Sequence, residues 1–124
     1  MIGLIKMIFG SRNYREVNRL KPLVDQINKI ESGLHNLADD EIRRKTVDWK
    51  ARLAPIQDQQ ELAAALDEIL PEAFAVVKNT CRRLTGRKSE VVVRGHPVVW
   101  EMIPFDVQLI GGIAPIHSES RAAR

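Results

Sequence analysis

The sequence predicts a mainly α-helical fold that carries a short β-hairpin, and three observations favour this class. Ala, Leu, Ile, Glu, Lys and Arg dominate the 124 residues while aromatic residues make up 5%, a composition that favours helices over a β-sandwich. Apolar residues recur at intervals of three and four along most of the chain, which is the period of an amphipathic helix. Residues 89–102 are instead rich in valine and contain an Arg-Gly turn signal, which predicts the hairpin.

Length and charge limit the classes of protein to which the chain can belong. With 124 residues it forms one domain at most, and its 44% hydrophobic and 28% charged residues are ordinary for a soluble globular protein. The net charge of +3 is mild, so we expect no nucleic-acid partner. The single cysteine, Cys81, excludes an internal disulfide and fits a reducing cytosol. The histidines are scattered, and we expect no metal site.

The first nine residues predict a short amphipathic helix that Gly10-Ser11 ends. On a helical wheel the apolar side chains fill a broad arc, which Lys6 and Gly3 interrupt. Such a helix can lie in a membrane interface, dock on a partner or pack on its own domain, and the residues alone leave these alternatives open. No apolar run approaches the roughly 20 residues of a membrane span. The start is also a poor signal peptide, because it lacks a basic leader.

Basic residues cluster near the N-terminus, where Glu16 is the acidic residue among the first 21. The basic side chains of this region are Lys6, Arg12, Arg15, Arg19 and Lys21. An excess of positive charge beside an apolar start suits an anionic surface of lipid or protein. A solvated helix face explains the same charges equally well.

Residues 13–34 predict a long amphipathic helix, in which Pro22 favours a kink or a break near Lys21. Three shorter helices are expected after it, over residues 39–54, 58–70 and 71–86. Acidic residues suit the start of the first of these, and Pro71 suits the first turn of the last. The expected buried residues are Tyr14, Val17, Leu20, Val24, Ile27, Ile30, Leu34, Ile42, Thr46, Trp49, Leu53, Leu62, Ala65, Leu66, Ile69, Phe74, Val77, Cys81 and Leu84.

The valine-rich region predicts two short strands, Val91–Val93 and Val98–Trp100, joined at Arg94-Gly95. Pro97 would confine the second strand to a sheet edge, because proline has no N–H to donate to a neighbouring strand. A lone hairpin is marginally stable, so we expect it to lean on other structure.

The last predicted helix contains the main candidate for chemistry. It begins near Asp106, and Pro115 is expected to end it. The Gln108 amide offers one donor and one acceptor, which match N7 and N6 of adenine. Phe105 lies three residues earlier, where a helix would place its ring on the same face to flank the base, and Met102 would complete the apolar wall. An F-x-x-Q spacing is common by chance, so the residues alone give a weak signal.

No complete phosphate-binding or catalytic motif accompanies Gln108. The nearest match to a phosphate loop is TGRKS at residues 85–89, which lacks the first glycine and the Gly-Lys adjacency. We expect this stretch to be a helix cap followed by a basic loop. No acidic pair follows an apolar strand to hold magnesium, and no Ser-His-Asp or Cys-His arrangement is suggested. The sequence therefore predicts no autonomous catalytic site.

Four stretches resemble, in order and spacing, the N-terminus of SecA, the ATP-driven preprotein translocase of bacteria. They are IFGSRNYREVNRL (8–20), LADDEIRRKTVDWKARL (37–53), LPEAFAVVKNTCRRLTG (70–86) and PFDVQLIGGIA (104–114). The third is the most specific, and the fourth is similar to the family's Q motif. VVVRGHPVVWEM (91–102) resembles a longer variant that some members carry. The resemblance covers about residues 5–114.

The resemblance implies the N-terminal part of a SecA-type motor domain, divided into a terminal helix (1–10), a helical region (11–86), a hairpin insert (87–104) and a Q-motif helix with a loose tail (105–124). Gln108 would read adenine, and Met102 and Phe105 would line the base pocket. The residues implied in contacts with anionic lipid, the SecYEG channel and a second protomer are Ile2, Ile5, Lys6, Phe9, Arg12, Arg15 and Arg19.

The family resemblance also implies ATP with magnesium as cofactor, preproteins as substrate, and a location in the bacterial cytoplasm and on the inner membrane. In the family, the segment after GGIA continues to a G-E-G-K-T phosphate loop, whereas here Pro115 follows and the chain reaches Arg124. We therefore expect this chain neither to hydrolyse ATP nor to bind a nucleotide tightly alone, since the phosphates would lack partners. The alternatives are a non-enzymatic helical module that binds membrane, translocon or SecA, and a gene remnant without a role.

Overall fold

The computed structural model describes the backbone of residues 2–122 and the side chains of residues 14–116. It is mainly α-helical with a small antiparallel sheet, which confirms the predicted fold class. In chain order its elements are helices α1 (Ile2–Leu34), α2 (Asp39–Leu53) and α3 (Gln59–Gly86), strands β1 (Glu90–Val93) and β2 (His96–Val99), and helix α4 (Asp106–Ala122).

The chain forms two compact units, one made of Met1–Gln26 with Phe105–Arg124 and the other of Ile27–Pro104. In the first unit the buried apolar side chains are Leu20, Val24, Leu109 and Ile113. In the second they are Ile27, Leu34, Ile42, Ala65, Ile69, Ala75 and Val76. Most of these were predicted from apolar periodicity, whereas the four-part division of the chain stays a prediction.

Helices α1, α3 and α4 are longer than predicted. Helix α1 runs unbroken through Gly10-Ser11 and Pro22, α3 continues through Pro71, and α4 continues through Pro115. The predicted helix end at Gly10, the break near Pro22, the separate helix from Pro71 and the stop at Pro115 are therefore wrong. A proline removes the helical hydrogen bond to the carbonyl four residues earlier and crowds that carbonyl. For Pro22 and Pro115 these carbonyls belong to the exposed residues Asn18 and Gly111, and they can bond to water instead.

The buried stripe of α3 is partly polar. Glu72, Asn79 and Arg83 lie on it at helical spacing, and each bonds to α1 or α2. A prediction from apolar residues alone places Leu66 and Val77 on the buried face of α3, but they are 47% and 58% exposed. The predicted core residues that are exposed instead are Tyr14, Val17, Thr46, Leu66 and Val77.

Glu31 of α1 is 3% exposed, and its buried carboxylate has hydrogen-bond partners on its own helix and on α3. Its Oε1 accepts hydrogen bonds from Arg82 Nε at 2.9 Å and Asn79 Nδ2 at 3.1 Å, and lies 2.9 Å from His35 Nε2. Burial acts to raise the pKa of Glu31, but the hydrogen bonds from Arg82, His35 and Asn79 outweigh burial and lower the pKa below its usual value. Glu31 is therefore ionised, and its partners keep the buried charge from being destabilising.

Arg83 of α3 bonds to the end of α1, to the connection that follows it and to the start of α2. Its Nε donates to Asn79 Oδ1 at 2.7 Å, and its Nη1 donates to Asp39 Oδ1 at 2.8 Å. Its Nη2 donates to the carbonyls of Leu34 at 2.8 Å and Leu37 at 2.6 Å. The last carbonyls of a helix have no partner within the helix, so Arg83 completes the C-terminus of α1 and fixes the connection to α2.

Asp39 begins α2 and receives two guanidinium groups. Arg87 donates to both of its carboxylate oxygens, at 2.6 and 2.9 Å, and Arg83 donates to Oδ1. The hydrogen bonds from Arg87 and Arg83 lower the pKa of Asp39 from 3.8 to about 2. At the same terminus the side chain of Glu41 accepts from the backbone N–H of Ala38 at 2.7 Å, which is the half of a capping box that needs no polar side chain at the N-cap residue.

Helix α2 also contacts α3 farther along, through Glu72. One carboxylate oxygen of Glu72 accepts from the ammonium of Lys45, and the other accepts from Trp49 Nε1 at 3.2 Å. Trp49 is half-buried and packs its ring while its N–H finds a partner. These bonds orient the two helices along their length, beyond the contact at Asp39.

The hairpin confirms the predicted turn. Strands β1 and β2 pair antiparallel, with Val91 opposite Val98. Arg94 and Gly95 have φ angles of 50° and 81°, the signature of a type I′ turn, whose twist matches that of the flanking strands. Glycine adopts this conformation without a steric penalty, which explains the glycine at position 95.

We predict that Asp39→Asn destabilises the protein and flattens the pH dependence of its stability. The folded-state pKa is depressed to about 2 from 3.8, so the charged carboxylate contributes stability that is complete above the unfolded value and is lost as pH falls toward the folded value. Urea unfolding followed by circular dichroism, repeated at several pH values, measures this. The variant should lose less stability than the parent protein between about pH 4 and pH 2.

The matched control is Asp40→Asn, because Asp40 is exposed and its pair with Arg43 is long, at 3.4 Å, and solvated. Such a pair contributes little, so this variant should follow the parent protein at every pH. Parallel pH profiles for Asp39→Asn and the parent would contradict the role given to Asp39.

Candidate functional site

The beginning of α4 places Gln108 against the backbone of Phe105. Phe105 immediately precedes the helix, and its carbonyl accepts from the N–H groups of Gln108 at 3.0 Å and Leu109 at 3.1 Å. In return, Oε1 of Gln108 accepts from the N–H of Phe105 at 2.8 Å. A side chain at the third helical position that bonds to the residue before the helix is half of a capping box, and Asp106 adds a favourable charge to the first turn.

This contact fixes the orientation of the Gln108 amide. Because the Phe105 N–H needs the oxygen, rotating the amide by 180° would set two donors against each other. The oxygen keeps a second lone pair, and within the described residues no hydrogen bond engages Nε2. Gln108 is exposed and Phe105 is 73% exposed. The structure thus brings these two predicted residues together at the surface, with one donor and one acceptor facing outward.

Met102 lies in the other unit and is 57% exposed. Its carbonyl accepts a hydrogen bond from Trp100 Nε1 at 2.8 Å, and the N–H of Trp100 donates to the carbonyl of Ser89 at 2.7 Å. This role of Trp100 is not among the predicted ones, although a tryptophan at the end of a predicted strand indicates a ring whose N–H needs a partner. Trp100 therefore shapes the segment that carries Met102.

The described residues of the TGRKS loop do not form a phosphate site. In the TGRKS loop, the N–H groups of Arg87, Lys88 and Ser89 already bond to carbonyls at the end of α3, so they cannot cradle a phosphate. The predicted helix cap and basic loop are thus confirmed. Among the described residues no group of three or more His, Cys, Asp or Glu side chains could hold a metal ion. The Cys81 thiol is half-buried, and burial raises its pKa, which disfavours the reactive thiolate.

The predicted lipid- and partner-binding residues all lie on α1. Arg15 is exposed, and Arg19 forms an ion pair with Glu16 at 2.9 Å. The side chains of the remaining predicted contacts, Ile2, Ile5, Lys6, Phe9 and Arg12, lie outside the described residues. Within the part of the chain that the structure describes, no helix combines the length and the apolar character that a bilayer crossing requires.

We predict that Gln108→Ala speeds hydrogen exchange at the Phe105 amide and destabilises the first turn of α4 by about 0.5–1 kcal/mol, because that N–H loses its acceptor. Gln108→Glu retains an acceptor and should retain protection. Val107→Ala is the control, since Val107 is 73% exposed and adjacent to Gln108. Exchange at Phe105, measured by NMR, that is equal in Gln108→Ala and the parent protein would contradict the capping role.

Comparisons with known proteins agree on one family. Residues 5–120 match the family described as the SecA DEAD-like domain. The protein translocase subunit SecA of Chlamydia caviae is 45% identical over 114 residues, which cover 92% of this chain and 11% of that protein. The subunit of the same name from Chlorobium phaeovibrioides is 36% identical over 155 residues, which cover 95% of this chain and 15% of that protein. No solved structure gave a significant match.

The chain spans between 11% and 15% of the length of these relatives. The alignment with the Chlorobium protein, at 155 residues, is longer than the chain itself, so that relative carries residues that this chain lacks. The matched region contains the helices, the hairpin and the turn of α4 that holds Gln108. The chain therefore belongs to the SecA family and corresponds to an N-terminal segment of a SecA protein.

Proposed function

We propose that the chain is the part of an ATP-driven protein translocase that recognises the adenine base. The observation that carries the proposal is the fixed, outward-facing amide of Gln108, held by the N–H of Phe105 at 2.8 Å. The relatives are named protein translocase subunit SecA, which supports the wider role in moving proteins. As part of such a motor, the segment would couple nucleotide binding to protein export.

The geometry favours adenine over guanine. With Oε1 shared by the Phe105 N–H, its second lone pair accepts from N6 of adenine while Nε2 donates to N7. Guanine has an acceptor where adenine has N6, so Oε1 would meet an oxygen, and the amide cannot turn over without leaving Phe105 unpaired. The exposed Phe105 ring would flank the base.

The phosphates and magnesium need groups beyond those described. Magnesium bound to a triphosphate compensates its charge and polarises the bond that is broken, and none of the described residues fits that task. In this proposal the present chain supplies base recognition, other parts of the SecA-type protein hold the triphosphate, and the chain alone binds ATP weakly without hydrolysing it.

The N-terminal half of α1 is proposed as the surface for peripheral membrane binding. Exposed Arg15 continues the basic region toward the terminus, where Lys6 and Arg12 lie among apolar residues. Positive charge beside apolar residues fits anionic lipid and the cytoplasmic face of the SecYEG channel, through which preproteins would pass. A location in the bacterial cytoplasm and on the inner membrane follows from this proposal.

A hybrid motor tests base recognition. In SecA of Chlamydia caviae, which is 45% identical, the matching segment is replaced by residues of this chain. We predict that ATP supports translocation by the hybrid, and that Gln108→Ala raises the ATP concentration for half-maximal ATPase activity about 10-fold while reducing the preference for ATP over GTP. Gln57→Ala is the matched control, since Gln57 lies exposed in the loop between α2 and α3.

The preference for ATP over GTP distinguishes base recognition from a general loss of structure. A misfolded segment would lower activity with both nucleotides alike, whereas loss of the adenine contact lowers activity with ATP selectively. An unchanged ATP to GTP ratio in Gln108→Ala would contradict the proposed role of Gln108.

A further inference from the structure

Among the described residues, no hydrogen bond engages the outward backbone groups of β1, whose positions the hairpin register defines. The N–H of Trp100 donates to the carbonyl of Ser89 at 2.7 Å, so Ser89 and Trp100 form a hydrogen-bonded pair. Hydrogen-bonded and non-hydrogen-bonded residue pairs alternate along an antiparallel ladder. The register therefore makes Glu90–Val99 and Val92–Pro97 non-hydrogen-bonded pairs. The N–H and C=O groups of Glu90 and Val92 consequently point away from β2.

The two edges of this hairpin differ. At the outer edge of β2, Pro97 lacks an N–H, and proline at such a position blocks the addition of another strand. The corresponding residue on β1 is Val92, which retains its N–H and is 75% exposed. Natural sheets usually protect their edges against the addition of another strand. Since β1 has no proline at this position, its outer edge is the one available for pairing.

The charges beside this edge are complementary to themselves. Glu90 starts β1 and Arg94 follows its end, and both are exposed. When two β1 strands run antiparallel with Val92 opposite Val92 of a second copy, Glu90 of each copy faces Arg94 of the other. A two-fold axis at Val92 thus gives a pair of backbone hydrogen bonds, a valine contact and two opposite-charge pairs.

We propose that two copies of the chain associate by antiparallel pairing of β1 with β1, which produces a four-stranded sheet. The Glu90–Arg94 complementarity selects a second copy over an unrelated strand, because the match arises from the edge meeting itself. Pairing also stabilises a hairpin that is marginal by itself and covers exposed valines. The contact is short, so the dimer is weak and forms reversibly. The proposal is independent of the role of Gln108.

Sedimentation equilibrium tests the pairing with matched proline variants. The parent protein should show a reversible monomer–dimer equilibrium between about 20 µM and 1 mM. Val92→Pro removes an outward N–H of β1 without breaking a bond inside the hairpin, and should weaken the dimer at least about 10-fold. Val99→Pro makes the equivalent change on the edge of β2 and should leave the equilibrium unchanged.

Charge reversal tests the register. Glu90→Arg and Arg94→Glu should each weaken self-association, because each places like charges opposite one another. A mixture of the two single variants restores both opposite-charge pairs and should form a mixed dimer. An effect on hairpin folding alone would not be rescued by mixing.

Hydrogen exchange locates the contact by residue. The Val91 and Val93 amides bond within the hairpin and should be protected in Val92→Pro as in the parent, whereas protection of the Glu90 and Val92 amides should rise with protein concentration. The proposal is overturned if the chain stays monomeric across the concentration range, which would leave the edge to a different strand. Association that survives Val92→Pro, or equal loss in both proline variants, overturns it as well.

Discussion

The guanidinium of Arg83 is the interaction on which the helical arrangement of residues 27–104 depends. Its donors reach a carbonyl at the end of α1, a carbonyl in the following connection and the carboxylate of Asp39 at the start of α2. A planar fork of five N–H groups can serve several acceptors at once, whereas an ammonium group has three donors at a single point. One side chain of α3 therefore sets where α1 ends and where α2 begins.

The same helix face makes the packing specific through polar contacts. Asn79 is 1% exposed and links the hydrogen-bonded groups around Glu31 and around Arg83, since it donates to Glu31 and accepts from Arg83. Every buried polar side-chain atom that the structure describes has a hydrogen-bond partner. Removing one member would leave others buried and unpaired, which costs about 1–3 kcal/mol for each group. The polar stripe thus acts as a unit that favours one alignment of α3 against α1.

The sequence predicts the parts of this fold that local chemistry determines. Apolar spacing identified Leu20 and Ile27 as core, and the Arg94-Gly95 pair identified the turn, because both depend on near neighbours. It did not identify Asn79 as buried, because the partners of Asn79 are distant in sequence. Prolines were overinterpreted as breaks for a related reason: packing of a long helix outweighs the loss of one hydrogen bond, as at Pro71.

The sequence predicts which residues of the candidate site come together, but not how they are oriented. The spacing of Phe105 and Gln108 indicated that they meet, but not that a backbone N–H holds the amide oxygen. In the proposed site, that contact would make the pair selective for adenine. NMR of the Gln108 side-chain amide, in this chain with adenosine or guanosine at millimolar concentration, tests the account most directly. We predict that adenosine shifts the Nε2 protons while the Phe105 amide stays protected, and that guanosine does not. Equal shifts with both nucleosides, or none with adenosine, would contradict the account.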